Sequence, residues 1–272
     1  MQIIYSAGKP PWQVKEEYRK VNRSKEGVLI VGAGPETSEV RFMYPDFLLH
    51  IYEGKDSLLY NKAVDNDLVF KIGGLELEYI REDTNTTWRN CRAIEVSLGG
   101  WFAHKFNNDI IEIGDVCWQY SVFNNWKVLD PYGPFKNAIR ADVMDVDYTG
   151  LSVLSLSTFE HFSESAYGNI DKDKPIKALE KVYREAKDYL ITFPIGAERN
   201  LENYLKNQNK IKYTFMVRNN KRGETNNWHQ EQNNDLFYEN YLHFEFGLDY
   251  YGSASAICII YSNNLHEYIG KL

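Results

Sequence analysis

The chain has no apolar run approaching the roughly 20 residues needed to cross a bilayer. Its start, Met1-Gln-Ile-Ile-Tyr-Ser-Ala-Gly-Lys9-Pro-Pro-Trp12, lacks a basic segment followed by an apolar one. A membrane partner and a secretory leader are therefore not expected, and the chain reads as cytoplasmic. Cysteine is scarce: Cys91, Cys117 and Cys258 are far apart and form no C-x-x-C pair, which excludes a disulfide framework and a zinc knuckle. Buried free thiols are the plain expectation. A nucleophilic Cys117 just after a strand is the sharper alternative. Excess positive charge is missing too. With 31 basic residues against 38 acidic ones and a formal charge of -7, no net field attracts a phosphate polymer, so no nucleic-acid partner is expected. What remains is an ordinary globular composition, 43% hydrophobic and 25% charged over 272 residues, long enough to bury a core without metal or disulfide staples.

Residues 1 to about 26 are polar and basic and read as a loosely attached arm, with a short helical pattern from Gln13 to Val21. Gly27-Val-Leu-Ile-Val-Gly32-Ala-Gly34 is an apolar strand ending in glycines, and by itself it invites a nucleotide-binding reading. A phosphate loop should open a helix, yet the following Pro35 to Pro45 alternates like a second strand. Further short runs, Phe47 to Tyr52, Leu68 to Ile72 and Leu75 to Tyr79, are separated by turn glycines. Residues 1–90 are thus expected to form a β-rich N-terminal extension, ending at the polar stretch Arg81 to Thr87. An exposed edge strand there would make a homodimer plausible.

From residue 91 onward the pattern becomes strand, helix, strand. Asp109 to Gly114, Lys127 to Pro131, Ala138 to Asp142, Ser152 to Ser157 and Asp188 to Pro194 read as strands. Ile176, Leu179, Val182, Tyr183 and Ala186 recur at helical spacing behind Pro175. Leu242 to Phe246 and the nearly all-apolar Ala254 to Tyr261 read as closing strands. The predicted class is α/β with a largely parallel sheet over residues 91–272, and in such sheets ligands bind beyond the carboxyl ends of the strands. Those ends carry Glu112 and Gly114, Asp130, Asp142, and Thr158-Phe-Glu160-His161. An ionised carboxylate there can accept hydrogen bonds from ribose hydroxyls or an exocyclic amine, which suits Asp130 and Asp142. A turn-forming Asp130 before Pro131 and a helix-capping Asp142 are the structural alternatives. Glu112, inside an apolar strand, requires a partner of some kind.

On Glu112-Ile-Gly114-Asp-Val, Val128-Leu-Asp130-Pro-Tyr132, Ala141-Asp142-Val143, Leu154 to Phe162, Ile191 to Gly196 and Asn226-Asn-Trp228, residues 92–261 resemble the class I S-adenosylmethionine-dependent methyltransferases. They look most like a methyltransferase-like branch associated with surface-polysaccharide genes. The resemblance implies a Rossmann-like sheet and S-adenosylmethionine as cofactor. It implies that Glu112 and Gly114 belong to the loop cradling the methionine, that Asp130 holds the ribose, that Asp142 and Val143 flank the adenine, and that Ser157 completes the cofactor contacts. The family loop usually continues acid-x-Gly-x-Gly-x-Gly; here Val116 and Trp118 stand at the later glycine positions, where side chains either displace the cofactor or close the pocket.

Methyl transfer from a sulfonium needs an aligned acceptor and a group to take its proton, and the imidazole of His161 suits a hydroxyl acceptor. Glu160 would orient that ring or bind substrate. Some O-methyltransferases carry Glu-x-x-Glu-His here and bind a divalent ion; Ser157 replaces the first Glu, so no metal is expected. The stretch Asn200 to Asn234 is rich in amides and basic groups, and Arg218, Arg222, Trp228 and His229 are candidate contacts for a small polar acceptor such as a sugar or nucleotide sugar. A solvated loop is the bland alternative. A cofactor-free relative of the fold, kept for binding or scaffolding, is the rival to the enzyme.

Overall fold

The computed structural model describes residues 2–5, 28–31, 69–80, 91–106, 109–123, 125–163, 171–218, 227–231, 234–241, 254 and 256–270. The chain divides into two compact units, 1–66 with 250–252 and 67–249 with 253–272. In the smaller unit, β1 (Gln2–Tyr5) pairs in parallel with β2 (Val28–Val31). The sequence pattern foresees β2; β1 lies inside the stretch that reads as a polar arm. The expected helix at 13–21, the strands within 32–66 and Gly32 and Gly34 lie outside the described residues.

The larger unit begins with a hairpin of β3 (Val69–Ile72) and β4 (Leu75–Glu78). Gly73 turns it at φ +54°, where an added Cβ would come within 2.7 Å of the Ile269 carbonyl carbon. The hairpin is tied to the α/β part: Gly73 N donates to Gln230 Oε1 at 2.6 Å, and Tyr79 Oη accepts from Trp228 N at 3.1 Å. These contacts tie the hairpin to the larger unit, which begins at Asp67, while the polar stretch after Ile80 lies outside the described residues.

Helix α1 (Arg92–Phe106) leads into β5 (Ile110–Ile113), β6 (Lys127–Leu129) and β7 (Ser152–Leu156). Then come α2 (Lys174–Glu185), β8 (Asp188–Pro194), α3 (Arg199–Asn207), β9 (Lys212–Arg218), β10 (Trp228–Gln230), α4 (Asn234–Tyr241), β11 (Ala256–Tyr261) and the short α5 (His266–Ile269). The sheet is mixed and seven-stranded, in the order β10-β9-β11-β8-β7-β5-β6. β6, β5, β7 and β8 run parallel, and β11 is inserted antiparallel between β8 and β9. The described part is therefore α/β. The expected strand Ala138 to Asp142 is reduced to one parallel bridge, Ile139 to Leu129, held by Ile139 N donating to Val128 O at 2.7 Å and Asp130 N donating to Ile139 O. Leu242 to Phe246 lies outside the described residues.

β5, β7, β8 and β11 are buried along their whole length, as central strands covered on both faces are, and their polar residues Glu112, Ser155 and Thr192 are hydrogen-bonded internally. Alternation still sorts their side chains between two cores. Leu154 and Leu156 of β7 face α1 and pack with Leu98 and Phe102, while Val153 joins Leu179 and Val182 of α2 on the other face. Gly99 lets α1 approach β7 closely, since a Cβ there would sit 3.1 Å from Leu156 Cδ1. Among the described residues, no helix is long and apolar enough to cross a membrane.

Candidate active site

The parallel order β6-β5-β7 brings three strand ends side by side, and a cavity of about 200 Å³ opens there. Gly114, Asp130, Asp142, Val143, Ser157 and His161, six of the residues singled out in the sequence, line it together. So do Asp115, Val116, Tyr132, Thr158 and Lys174.

Glu112 lies beneath the cavity, fully buried, and does not line it. Its Oε1 accepts from the amides of Val116 (3.0 Å) and Cys117 (2.7 Å), and its Oε2 accepts from Trp126 Nε1 (2.9 Å). These donors shape the loop that follows β5, so this acid builds the cavity wall from behind. Burial pushes its carboxyl up to about 7 even though all three hydrogen bonds favour the ionised form. Gly114 has φ +89°, and a Cβ there would overlap Thr158 Oγ1, so the loop can cross the end of β7 only without a side chain. Val116 reaches the cavity, but Trp118 does not; its ring stacks on Phe135 at 5.8 Å between centroids. The larger of the two departures from a glycine-rich loop is thus absorbed by an aromatic cluster with Phe123 and Trp126. Cys117 is fully buried and its thiol is driven well up by that burial, which suits packing and not nucleophilic attack.

Asp130 is both a strand-end acid and a turn former. Oδ1 accepts from the amides of Tyr132 (2.7 Å) and Gly133 (2.5 Å), and Oδ2 accepts from Asp115 N at 3.2 Å. An ionised carboxylate offers about four acceptor positions, so room for one further donor remains and a pair of vicinal hydroxyls would compete with the turn. Asp142 accepts from Met144 N (2.9 Å) and from Lys174 Nζ (2.5 Å), which leaves two positions. Partial burial works to raise its pKa, but the Lys174 ammonium and the Met144 amide outweigh it and hold the carboxyl below its usual range. Val143, buried, adds an apolar wall, and its carbonyl is fixed by the Tyr148 hydroxyl.

After β7 the chain turns sharply at Ser157, a non-glycine residue at φ +44°. Its Oγ donates to Glu95 Oε1 at 2.5 Å, and its amide donates to Thr192 O at 2.9 Å. Glu95 is itself fully buried, accepts from Thr192 Oγ1, and pairs with Arg92 at 3.3 Å. A buried network on α1 and β8 therefore holds a strained backbone conformation at the cavity floor. His161 follows in a short 3-10 turn, Phe159–Ser163, with its side chain 42% exposed and facing the cavity. Glu160 is buried and does not line the cavity; its Oε1 lies 3.9 Å from His161 Nε2, within ion-pair reach of a protonated ring.

The proposed acceptor contacts are placed elsewhere. Arg218 closes β9 and lies 5.1 Å over the Trp228 ring, Trp228 is buried on β10, and His229 is its partly buried neighbour. None of the three lines the cavity, and the Trp228 ring is core under Arg218, not an open platform. Arg222 lies outside the described residues. Among the described residues, no group of three or more His, Cys, Asp or Glu is placed to hold a metal ion. Asp115 and Lys174 were given no role by the sequence pattern, and Thr158 only a place after a strand. Asp115 had a legible signal, an acid directly after the strand-end glycine, whereas Lys174 meets Asp142 across 32 positions and carries none. No known protein-family model matches the chain, and no curated protein or solved structure matches it.

Proposed function

We propose that this chain is an S-adenosylmethionine-dependent methyltransferase acting on a small polar acceptor, with a sugar or nucleotide-sugar hydroxyl as the acceptor class. The observation that carries the reading is the convergence of Gly114, Asp130, Asp142, Val143, Ser157 and His161 on one cavity at the ends of parallel strands. Support also comes from the sheet order, in which β11 is antiparallel between β8 and β9 as in a Rossmann-like methyltransferase sheet, and from the residues quoted above for that resemblance. The donor set fits such a cofactor: Asp142 has acceptor positions for an exocyclic amine, Asp130 has one for a ribose hydroxyl, and Val143 with Leu129 supplies an apolar wall for a base.

The cofactor would supply an electrophilic methyl group on a sulfonium. His161 would take the acceptor's proton from the solvent-facing side of the cavity, with Glu160 behind the ring stabilising its protonated form. Ser157 and Thr158 fix the floor from which His161 projects, through the hydrogen bond of His161 N to Thr158 O at 3.0 Å. A place in surface-glycan assembly follows from the resemblance.

One feature favours the cofactor-free relative, kept for binding or scaffolding, over the enzyme: Val116 lines a cavity of about 200 Å³, below the roughly 300 Å³ at which small-molecule sites usually begin. Calorimetric titration with S-adenosylhomocysteine separates the two. Micromolar binding, lost when Ala141→Trp fills the cavity, is expected of the methyltransferase; a folded wild-type protein that does not bind leaves only the cofactor-free relative.

A further inference from the structure

We propose that Asp115 is the charge-selecting residue of this cavity, favouring adenosyl ligands that carry net positive charge over neutral ones. The inference rests on the cofactor reading above and deepens it.

The geometry of Asp115 is built and not incidental. Its carboxylate lies flat against the turn after β6, where Oδ2 accepts from Phe135 N at 3.1 Å. Gly133 makes this possible, because a Cβ there would overlap the carboxylate. The Asp115 amide meanwhile donates to Asp130 Oδ2, which places two acids side by side at the cavity's loop end. The charge inventory of the lining then decides the ligand. Asp115, Asp130 and Asp142 face Lys174 and His161, and Lys174 is already paired with Asp142 at 2.5 Å. That pair cancels itself and leaves Asp115 and Asp130 as the two acids with no cation in the lining, while Arg140 reaches the same turn from outside the cavity, donating to Asp130 O at 2.6 Å and Phe135 O at 2.7 Å. Burial and the neighbouring Asp130 both raise the Asp115 pKa, so its ionised form is held at a cost that an adjacent cation would offset. A diphosphate would meet two carboxylates at this end, and a sulfonium or ammonium would meet a ready counter-charge.

The test uses the full chain and three ligands that share the adenosine half. S-adenosylmethionine carries a net positive charge, S-adenosylhomocysteine has none, and 5′-methylthioadenosine has no charged groups. Calorimetric dissociation constants are compared for wild type and Asp115→Asn, in which the amide oxygen still accepts from Phe135 N. Wild type is expected to bind S-adenosylmethionine more tightly than S-adenosylhomocysteine. Asp115→Asn is expected to weaken S-adenosylmethionine about ten-fold, as loss of one charged contact does, and to leave 5′-methylthioadenosine within about two-fold. Equal weakening of all three ligands, or an unchanged S-adenosylmethionine constant, overturns the proposal while the cofactor reading stands. A wild-type preference for S-adenosylhomocysteine overturns it as well, without reliance on any variant. Failure of all three ligands to bind wild type removes the cofactor reading, and this inference with it.

Discussion

Gly114→Ala isolates the contact on which the site's geometry turns. The residue sits at φ +89°, and its missing Cβ would overlap Thr158 Oγ1 and lie 2.9 Å from Thr158 Cγ2. Forcing an L-residue into the left-handed region costs about 1–2 kcal/mol, and overpacking against a fixed neighbour adds about 1–3 kcal/mol. The sum, about 2–5 kcal/mol, corresponds to a drop in Tm on the order of 10 °C for a unit of this size. The two contributions can be separated, because only the second depends on Thr158. In a Thr158→Ala background Oγ1 and Cγ2 are gone while Cβ, 3.0 Å from the added atom, remains. Gly114→Ala should therefore cost about 1–2 kcal/mol less there than in wild type, a favourable coupling that a double-mutant cycle in urea reads directly. A single-variant loss below about 1 kcal/mol, or a cycle with no coupling, would refute the claim that the loop after β5 crosses the end of β7 only because this residue is a glycine.

Three further outcomes are expected. Glu112 has its folded pKa raised from 4.5 to about 7 by burial, so the unfolded chain loses this proton first, and the group's contribution is fullest below 4.5 and is lost as pH rises to about 7. That interval is worth about 3 kcal/mol; Glu112→Gln should lack this part of the slope in urea unfolding at pH 5 and pH 8, and an identical slope in both proteins would count against it. Asp142 has the opposite sign, because a lowered folded pKa contributes stability above the ordinary carboxylate range that is lost as pH falls through it. Asp142→Asn should show a shallower loss of Tm between pH 5 and pH 3 than wild type, and equal losses would deny the Lys174 pair any role. His161→Ala should lower methyl transfer about 10²- to 10⁴-fold while cofactor affinity stays within about three-fold; an unchanged turnover on a true acceptor would remove its role as base.

The strands and helices of the larger unit that carry one clear period were legible in the sequence. The runs around β5, β6, β7, β8 and β11 are apolar and bounded by breakers, and α2 repeats its apolar residues at helical spacing behind Pro175. Helix α1 was not legible, because Ala93, Ile94, Val96, Leu98, Phe102 and the carboxylate of Glu95 are buried on several of its faces and leave no amphipathic stripe. Ala138 to Asp142 has strand-like composition yet makes a single bridge, since pairing depends on the reach of a neighbour and not on propensity.

The sequence by itself determined that Glu112 and Asp130 stand near strand ends, because Gly114 and Pro131 after apolar runs mark those ends locally, whereas Asp142 follows only a bridge residue. Whether each acid faces a ligand or the fold's own amides was decided only by the tertiary structure. Glu112 spends its acceptor capacity on two loop amides and the Trp126 indole, Asp130 on three loop amides, and Asp142 spends part of it on a lysine distant in the chain. Likewise Trp118 stands at a glycine position in the sequence, yet it leaves the cavity open because Phe135, 17 positions later, comes back to receive its ring. Hydrogen-bond capacity and packing volume are shared among residues far apart in the chain, and folding alone fixes how they are divided.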